Sequence, residues 1–285
     1  MREHRAEKKK PMTFSSLGIS NIAWPSDALD DALDRAVAQG LDAIEIAPYW
    51  AFGQWNVSEA AIDAVLSKIT ARGLRCSALQ GILYNVDNAA LFTSEDSRDV
   101  LASHLTMVAG LAGRVGAKAC VFGAPRQRDP GALRAREARA IALSFFRSIG
   151  PVFAAQGATL ALEANSSHYG CRFLTTTAEA IDFVEEVAAD GIGLQIDTGT
   201  LFLENEDPSV LTRAVRVAAH SHVSEPNLSP LGTGGVDHRP IAAAFAASGY
   251  SGSLSIEMKV MPDWPSAFDA AVALVREFYA PVGSK

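Results

Sequence analysis

Short apolar runs that favour β-strands alternate with longer amphipathic segments along most of the chain, and this alternation constrains the fold more than any other feature. The strands read as nearly continuous apolar runs, as in parallel sheets whose faces are both covered. Eight strand and helix pairs in succession favour a sheet that closes on itself, so we predict an α/β fold, a single (β/α)8 TIM barrel over residues 14–285. The predicted strands lie at about 17–23, 42–48, 75–83, 117–125, 159–165, 192–198, 218–224 and 252–259.

An open, doubly wound sheet is the main alternative arrangement of such units. A dinucleotide-binding version would need a glycine-rich GxGxxG turn after the first strand, and the sequence has none at that position. The count of eight units also favours closure of the sheet.

Two segments between the strands carry specific expectations. Residues 132–155 are predicted to form a helix that is interrupted at Gly150–Pro151, because proline removes a main-chain hydrogen bond. The aromatic segment Tyr49–Trp55 follows the second strand and is predicted to be a loop that serves either as a lid or as an interface.

Composition narrows the classes of partner and compartment. A formal net charge of −7 argues against general affinity for nucleic acid. Three widely spaced cysteines without a CxxC pair indicate a reducing compartment, with neither a disulfide framework nor a zinc finger. We find neither a secretory leader nor an apolar run long enough to span a membrane, and we expect a cytoplasmic protein. Residues 1–13 are predicted to be a disordered basic tail.

Acidic and imidazole side chains stand at the ends of four successive predicted strands. Glu163 and Asp197 are 34 positions apart, Asp197 and His222 are 25 apart, and His222 and Glu257 are 35 apart. These spacings each fit one strand and one helix with their loops. Each residue alone has an ordinary explanation, since a strand-end Asp often caps the next helix. Because TIM-barrel active sites lie at the carboxyl ends of the strands, the four together predict one site.

Three carboxylates and one imidazole form an oxygen-rich ligand set. Such a set suits Mn²⁺ or Mg²⁺, and Mn²⁺ is the expected cofactor, with Co²⁺ and Zn²⁺ as alternatives. If a metal ion there also bound two neighbouring oxygens of a polyol, it would polarise a carbonyl and stabilise the enediolate formed when the adjacent carbon loses a proton. Two carboxylates on opposite sides of the substrate can exchange that proton, and Glu163 and Glu257 are the candidates.

Four motifs resemble those of the sugar isomerase/epimerase family with the xylose-isomerase-like barrel, which includes tagatose and psicose 3-epimerases, hydroxypyruvate isomerase and inosose-processing enzymes. The resemblance spans residues 19–278 and implies that Glu163, Asp197, His222 and Glu257 bind the metal, with both glutamates exchanging the proton. It also implies a homodimer or homotetramer. The motifs are ALEAN at 161–165, QIDTG at 195–199, HSHVSEPN at 220–227 followed by GTGGVD, and SIEMK at 255–259.

The sequence departs from the ketohexose 3-epimerase pattern at two places. Thr200 stands where those enzymes commonly have a substrate-holding His, and Leu228–Ser229 stands where they have an Arg. The departures argue against a free ketohexose. The substrate therefore stays open among a sugar, a sugar phosphate and a keto-inositol.

Further polar residues near the strand ends are candidates for binding the substrate. Asn21 ends the first strand, His168 follows Glu163 by five positions, and Glu225 and Asn227 come just after His222. Each of the four is expected to contact a substrate hydroxyl, while a surface role for His168 and support of His222 by Glu225 stay open as alternatives.

Other conspicuous residues favour structural roles. Glu45 alternates with apolar neighbours on the second strand and is expected to be a buried, paired acid. His220 is expected in the core, with support of a metal ligand as the alternative. Trp24 ends the first strand and is expected either to line the sugar pocket or to pack at the rim. Arg126 and Arg128 follow the fourth strand, where a solvated loop is favoured over a clamp for a phosphate or carboxylate.

Three other functions are alternatives to the isomerase, and each would need different sequence features or give a different product. An endonuclease-IV-like phosphodiesterase should carry extra histidines on strands two to four and a basic face, and only Asp237–His238 is similar to that family's late ligands. A non-catalytic sugar-binding barrel would not need the complete ligand set. A keto-inositol dehydratase would use the same proton abstraction, and its product would differ in mass.

Overall fold

The (β/α)8 prediction is confirmed, because the parallel strands close into a barrel in chain order. The computed structural model describes residues 14–279, so the predicted tail at 1–13 and residues 280–285 lie outside the described part. The strands are β1 Ser16–Ser20, β2 Ala43–Ile46, β3 Arg75–Leu79, β4 Ala119–Phe122, β5 Thr159–Glu163, β6 Ile192–Asp197, β7 Ala218–Val223 and β8 Ser253–Ile256. Parallel pairing of β1 with β8 closes the barrel.

Helices connect the strands around the outside of the barrel. Several begin at side chains that accept a main-chain hydrogen bond, as Ser94 does from the amide of Ser97. The helices are α1 Leu29–Ala38, α2 Pro48–Phe52, α3 Glu59–Thr70, α4 Glu95–Val115, α5 Ala135–Ala155, α6 Thr177–Val187, α7 Thr198–Leu203, α8 Leu211–Ala214, α9 His238–Ser248 and α10 Trp264–Phe278. Short 3₁₀ turns complete several of the connections.

The register of the strands brings the candidate residues to one end of the barrel. Asp197 on β6 stands directly opposite His222 on β7, and His222 stands opposite Ser255 on β8. Glu163 is the last residue of β5, and Glu257 immediately follows β8. In a parallel barrel all strands end at the same rim, so these side chains meet there.

The main core lies between the barrel and its helices. Aromatic rings form an edge-to-face chain there: Phe146 of α5 lies 5.5 Å from Phe122 of β4 and 5.8 Å from Phe183 of α6, measured between ring centroids. Inside the barrel the packing is different, because the small side chains of Ala78 and Ala161 fill part of the interior. The remaining interior space takes polar side chains, which build the site described below.

The predicted interruption at Gly150–Pro151 is wrong. Helix α5 continues through Pro151, which lies inside it. Proline removes one main-chain hydrogen bond, but Phe146, Ile149 and Phe153 keep one face of the helix buried on the barrel. Burial of that face outweighs the lost bond.

Two short helices were not predicted. The segment Tyr49–Trp55, expected to be a loop, contains α2, and α7 begins directly after β6. Helix α7 begins where the Asp197 carboxylate accepts the Thr200 amide at 2.7 Å. Asp197 is both the last strand residue and the helix cap, so no turn separates β6 from α7 in the sequence.

Helix α5 is the one described helix that is long and apolar enough to cross a membrane, judged by length and composition. Its apolar residues include Phe145, Phe146 and Phe153, which are buried in the protein. The hydropathy of this helix therefore has a structural explanation within the barrel.

We expect Phe146→Ala to lower the free energy of unfolding by about 3–5 kcal/mol, because the substitution leaves a cavity at the centre of the edge-to-face chain. Urea unfolding followed by circular dichroism measures the change. Phe202→Ala, which removes an exposed ring, is the matched control and should change stability by less than about 1 kcal/mol. Equal losses in the two variants would contradict the proposed role of the chain of rings.

Candidate active site

Four side chains converge at the carboxyl ends of β5, β6, β7 and β8. Glu163, Asp197, His222 and Glu257 each offer one possible metal-binding atom, and these atoms all lie within 4.8 Å of one another. Nδ1 of His222 is 3.2 Å from Oε2 of Glu257 and 3.6 Å from Oε1 of Glu163. We call these four residues the rim cluster. The residues that the sequence grouped are therefore neighbours in space, and their composition allows them to hold a metal ion.

The orientation of His222 is set from inside the barrel. Its Nε2 lies 2.9 and 3.0 Å from the two carboxylate oxygens of Glu45, whose side chain is completely buried. The other ring nitrogen, Nδ1, is also buried and has no hydrogen-bond partner within residues 14–279. A carboxylate that holds one nitrogen while the other faces a cluster of acids is the usual arrangement of a metal-binding histidine.

The electrostatics of the rim cluster favour a positive charge. Burial raises the pKa of Asp197 to about 7, and the neighbouring carboxylates of Glu163 and Glu257 add to the rise. Burial by itself lowers the pKa of His222, but Glu45 and Glu257 outweigh that effect and hold it well above its ordinary value. The rim cluster therefore attracts positive charge, whether a proton on His222 or a metal ion.

Fixed contacts hold the oxygens of Asp197. The amide of Thr200 donates to Oδ1 at 2.7 Å, and the hydroxyl of Ser224 donates to Oδ2. Asp197 thus caps α7 and also belongs to the rim cluster, so one carboxylate can serve both purposes.

Glu163 is held by a relay that starts at a buried cation. The amide of Asn165 donates to Oε2 of Glu163 at 2.8 Å, and Nη2 of Arg128 donates to Oδ1 of Asn165 at 2.8 Å. Arg128 is only 1% exposed and also donates to the carbonyl of Phe122. For Arg128 both the solvated loop and the substrate clamp are therefore wrong, whereas Arg126 is exposed.

Gly123 makes room for the Glu163 carboxylate just beyond β4. A Cβ atom at this position would lie 1.8 Å from Oε2 of Glu163. Any larger residue would push that carboxylate away from its place in the rim cluster.

The rim cluster opens into a cavity of about 250 Å³, which we call the inner cavity. Its lining includes Glu163, Asp197 and Glu257, together with several residues that sequence reasoning did not select: Gln80, Asn165, Tyr169, Ser224 and Leu228. Thr200, one of the departures from the ketohexose 3-epimerase pattern, also lines it.

The four candidate substrate-binding residues do not line this cavity, and two of them have other partners near β1 and β5. Asn21 accepts a hydrogen bond from the amide of Ala47 at 2.7 Å and so joins the ends of β1 and β2. The side chain of His168 is 60% exposed and lies beside Ser166 and Glu204. The neighbouring Tyr169 faces the cavity instead. An aromatic residue in a strand-end loop was the signal available for it.

Glu225 and Asn227 organise the loop after β7. The carboxylate of Glu225 is buried and accepts from the amides of Gly232 and Gly234, and it also contacts His238. Asn227 is exposed, with φ at 59°, and its main-chain amide donates to the phenol oxygen of Tyr169 at 2.8 Å. Both residues therefore organise the loop after β7, and neither belongs to the lining of the inner cavity.

The features expected of an endonuclease-IV-like site are missing from the described residues. His238 lies between Glu225 and Tyr279, at 3.0 and 2.8 Å, and is not a member of the rim cluster. The residues that follow β2, β3 and β4 at the mouth are Ala47, Gln80 and Gly123, so none of the three supplies an imidazole.

Glu45 is the buried, paired acid that the sequence predicts, and Trp24 and His220 are buried as well. Trp24 is 1% exposed and packs against Phe268, with ring centroids 6.0 Å apart. Glu45 pairs with His222, and Nε2 of His220 lies 3.5 Å from Oε1 of Glu45. The burial of Glu45 opposes its ionisation, but the two histidines outweigh this effect and hold its pKa well below the usual range.

Several known proteins are similar to this chain, some in sequence and others in fold. L-ribulose 3-epimerases of Mesorhizobium japonicum and Methylomonas sp. are each 25% identical to it, over 86% and 82% of this chain and 81% and 79% of their own lengths. A crystal structure of D-psicose 3-epimerase from Clostridium cellulolyticum H10 with D-tagatose has a TM-score of 0.77 at 17% identity, covering 93% of this chain and 99% of that one. A 3-keto-D-glucoside 4-epimerase from E. coli has a TM-score of 0.74 at 18% identity, covering 92% and 99%.

The family assignment rests on a match over most of the chain. The family model described as xylose isomerase-like TIM barrel matches residues 33–278, a span that contains β2 to β8 and all four residues of the rim cluster. This chain belongs to the xylose isomerase-like TIM barrel family.

Proposed function

We propose that this protein is a divalent-metal-dependent sugar epimerase or isomerase that moves a proton at a carbon next to a carbonyl group. The observation that carries the proposal is the meeting of three carboxylates and one unpartnered imidazole nitrogen at the wall of a cavity. The L-ribulose 3-epimerases at 25% identity support the same reaction class.

In this proposal, the four side chains of the rim cluster would hold the metal ion. Their donor set is three carboxylates and one imidazole, for which Mn²⁺ is the proposed ion and Mg²⁺, Co²⁺ and Zn²⁺ are the alternatives. A divalent ion bound there supplies Lewis-acid stabilisation of the negative charge that develops on a substrate oxygen. The pairing of Glu45 with Nε2 leaves Nδ1 of His222 free to bind it.

Glu163 and Glu257 are the proposed proton-exchanging groups. Both line the inner cavity, and their side chains keep 10% and 12% exposure, whereas Glu45 has none. They come from β5 and β8, which are separated by two strands, so they can approach a substrate from different sides. One carboxylate can remove a proton while the other returns one. Asn165 keeps Glu163 in position for this exchange.

The proposed substrate is a keto sugar. The named activities of the relatives are L-ribulose 3-epimerase, D-psicose 3-epimerase and 3-keto-D-glucoside 4-epimerase, and in each the epimerised carbon is next to a carbonyl. In this chain the hydroxyl of Thr200 donates to the carbonyl of Ala164 at 3.1 Å, so it is already engaged. Thr200 therefore does not offer its hydroxyl hydrogen to a substrate, and together with the departure from the ketohexose pattern at this position this supports a keto sugar other than a free ketohexose.

We expect metal-dependent exchange of deuterium from D₂O into the carbon next to the carbonyl, measured by NMR with a panel of keto sugars. Glu257→Gln and Glu163→Gln should each lower the rate by about 10²- to 10⁴-fold, because each removes one proton-transfer group. Glu137→Gln, on the exposed side of α5, is the control and should leave the rate unchanged. A product of altered mass would indicate a dehydratase, and exchange that survives both substitutions would exclude the proposed roles.

Glu45→Gln should weaken Mn²⁺ binding by about 10- to 100-fold, because the substitution removes the charge that orients and polarises His222. Titration calorimetry measures the affinity, with Glu137→Gln again as the control. An unchanged affinity in a folded variant would show that His222 does not depend on Glu45.

Gly123→Ala should lower Mn²⁺ affinity and activity by about tenfold or more with little loss of stability, because the new methyl group displaces only the end of the flexible Glu163 side chain. Gly110→Ala, where a Cβ meets open space within α4, is the matched glycine control. Wild-type affinity in Gly123→Ala would place Glu163 outside the metal site.

A further inference from the structure

The cleft continues beyond the inner cavity into a second space, which we call the outer chamber. It has a volume of about 380 Å³, compared with about 250 Å³ for the inner cavity. The two spaces share Gly81, Val121, Gly123 and Tyr169 as lining residues, so they adjoin as parts of one cleft. The outer chamber adds room beyond the part of the cleft that contains the reacting groups.

The outer chamber has an exposed aromatic wall. Tyr84 lines it and is 66% exposed. Tyr169 lines it as well and is 45% exposed. Its phenol oxygen accepts a hydrogen bond from the main-chain amide of Asn227 at 2.8 Å, which connects this ring to the loop after β7.

Residues of the aromatic segment Tyr49–Trp55 contact Tyr84. Its ring centroid is 5.4 Å from that of Tyr49, and the indole of Trp55 donates to the Tyr84 carbonyl at 2.9 Å. Asn85 donates to the Tyr49 hydroxyl at 2.6 Å, and His104 packs edge-on against Trp55. The ring is therefore exposed but held in place, and a pre-organised aromatic surface loses little entropy when it binds a ligand.

The charge of the outer chamber differs from that of the inner cavity. Its lining contains no carboxylate and one cation, Arg126, together with the polar side chain of Gln127. The rest is main chain, aliphatic or aromatic. Such a surface fits a neutral polyol with an apolar face, whereas a phosphate would find one cationic side chain, Arg126.

We propose that the substrate carries a second sugar residue: the reacting keto sugar occupies the inner cavity, and a glycosyl group attached to it lies against Tyr84 in the outer chamber. This substrate class rests on the proposed epimerase or isomerase function. The aromatic segment Tyr49–Trp55 then serves to hold Tyr84 in place, which is a different role from a lid or an interface.

The test compares isomaltulose, which is fructose with a glucosyl group on O6, with 6-O-methylfructose, which blocks the same oxygen without adding a ring. For the Mn²⁺-loaded wild-type protein we expect kcat/KM for deuterium exchange to be about tenfold higher with isomaltulose. Tyr84→Ala should remove this advantage and leave 6-O-methylfructose within twofold of the wild type. Tyr84→Phe, which retains the ring, should keep the advantage.

Binding of the same two sugars, followed by saturation-transfer NMR, separates this inference from the proposed function. A preference for isomaltulose that depends on Tyr84, without any exchange, would support the second-ring site and count against the epimerase. Exchange at equal rates with both sugars would overturn the second-ring site and leave the epimerase standing. A preference for fructose 6-phosphate that is lost in Arg126→Ala would overturn it in favour of a phosphate site.

Discussion

The pairing of Glu45 with His222 inside the barrel is the interaction on which the site depends. A carboxylate without solvent contact is costly to bury unless it is paired and hydrogen-bonded, and both oxygens of Glu45 lie within 3.0 Å of Nε2 of His222. The pair fixes the imidazole plane and turns Nδ1 toward Glu163 and Glu257. A free rotation of that ring would remove the only nitrogen donor of the rim cluster.

Three carboxylates line the inner cavity, whereas the adjoining outer chamber has none in its lining. Around the inner cavity, Asn165, Ser224 and the Thr200 amide hold carboxylate oxygens so that they cannot spread apart. The elevated pKa of Asp197, about 7, follows from burial among like charges. The outer chamber has no carboxylate in its lining. The cleft therefore separates a charged part suited to a cation and to proton transfer from a neutral part suited to recognition.

The sequence located the strand ends correctly but not the directions of the loop side chains beyond them. His168 and Tyr169 are adjacent, yet the histidine faces solvent beside Glu204 and the tyrosine lines the cavity. Glu225 comes three residues after His222, but its carboxylate is used by the amides of its own loop and by His238. Strand residues alternate between two faces by a fixed rule, whereas loop residues follow local hydrogen bonds that no periodicity describes.

By itself the sequence determined the count of strand and helix units, closure into a barrel and the four residues of the rim cluster, because these follow from periodicity and regular spacing along the chain. Only the tertiary structure decided how His222 is oriented, since its partner Glu45 is 177 positions away. The burial of Arg128 behind Asn165 and the division of the cleft also depended on contacts between distant segments. Local patterns specify elements, whereas the direction and partner of a side chain are properties of the packed molecule.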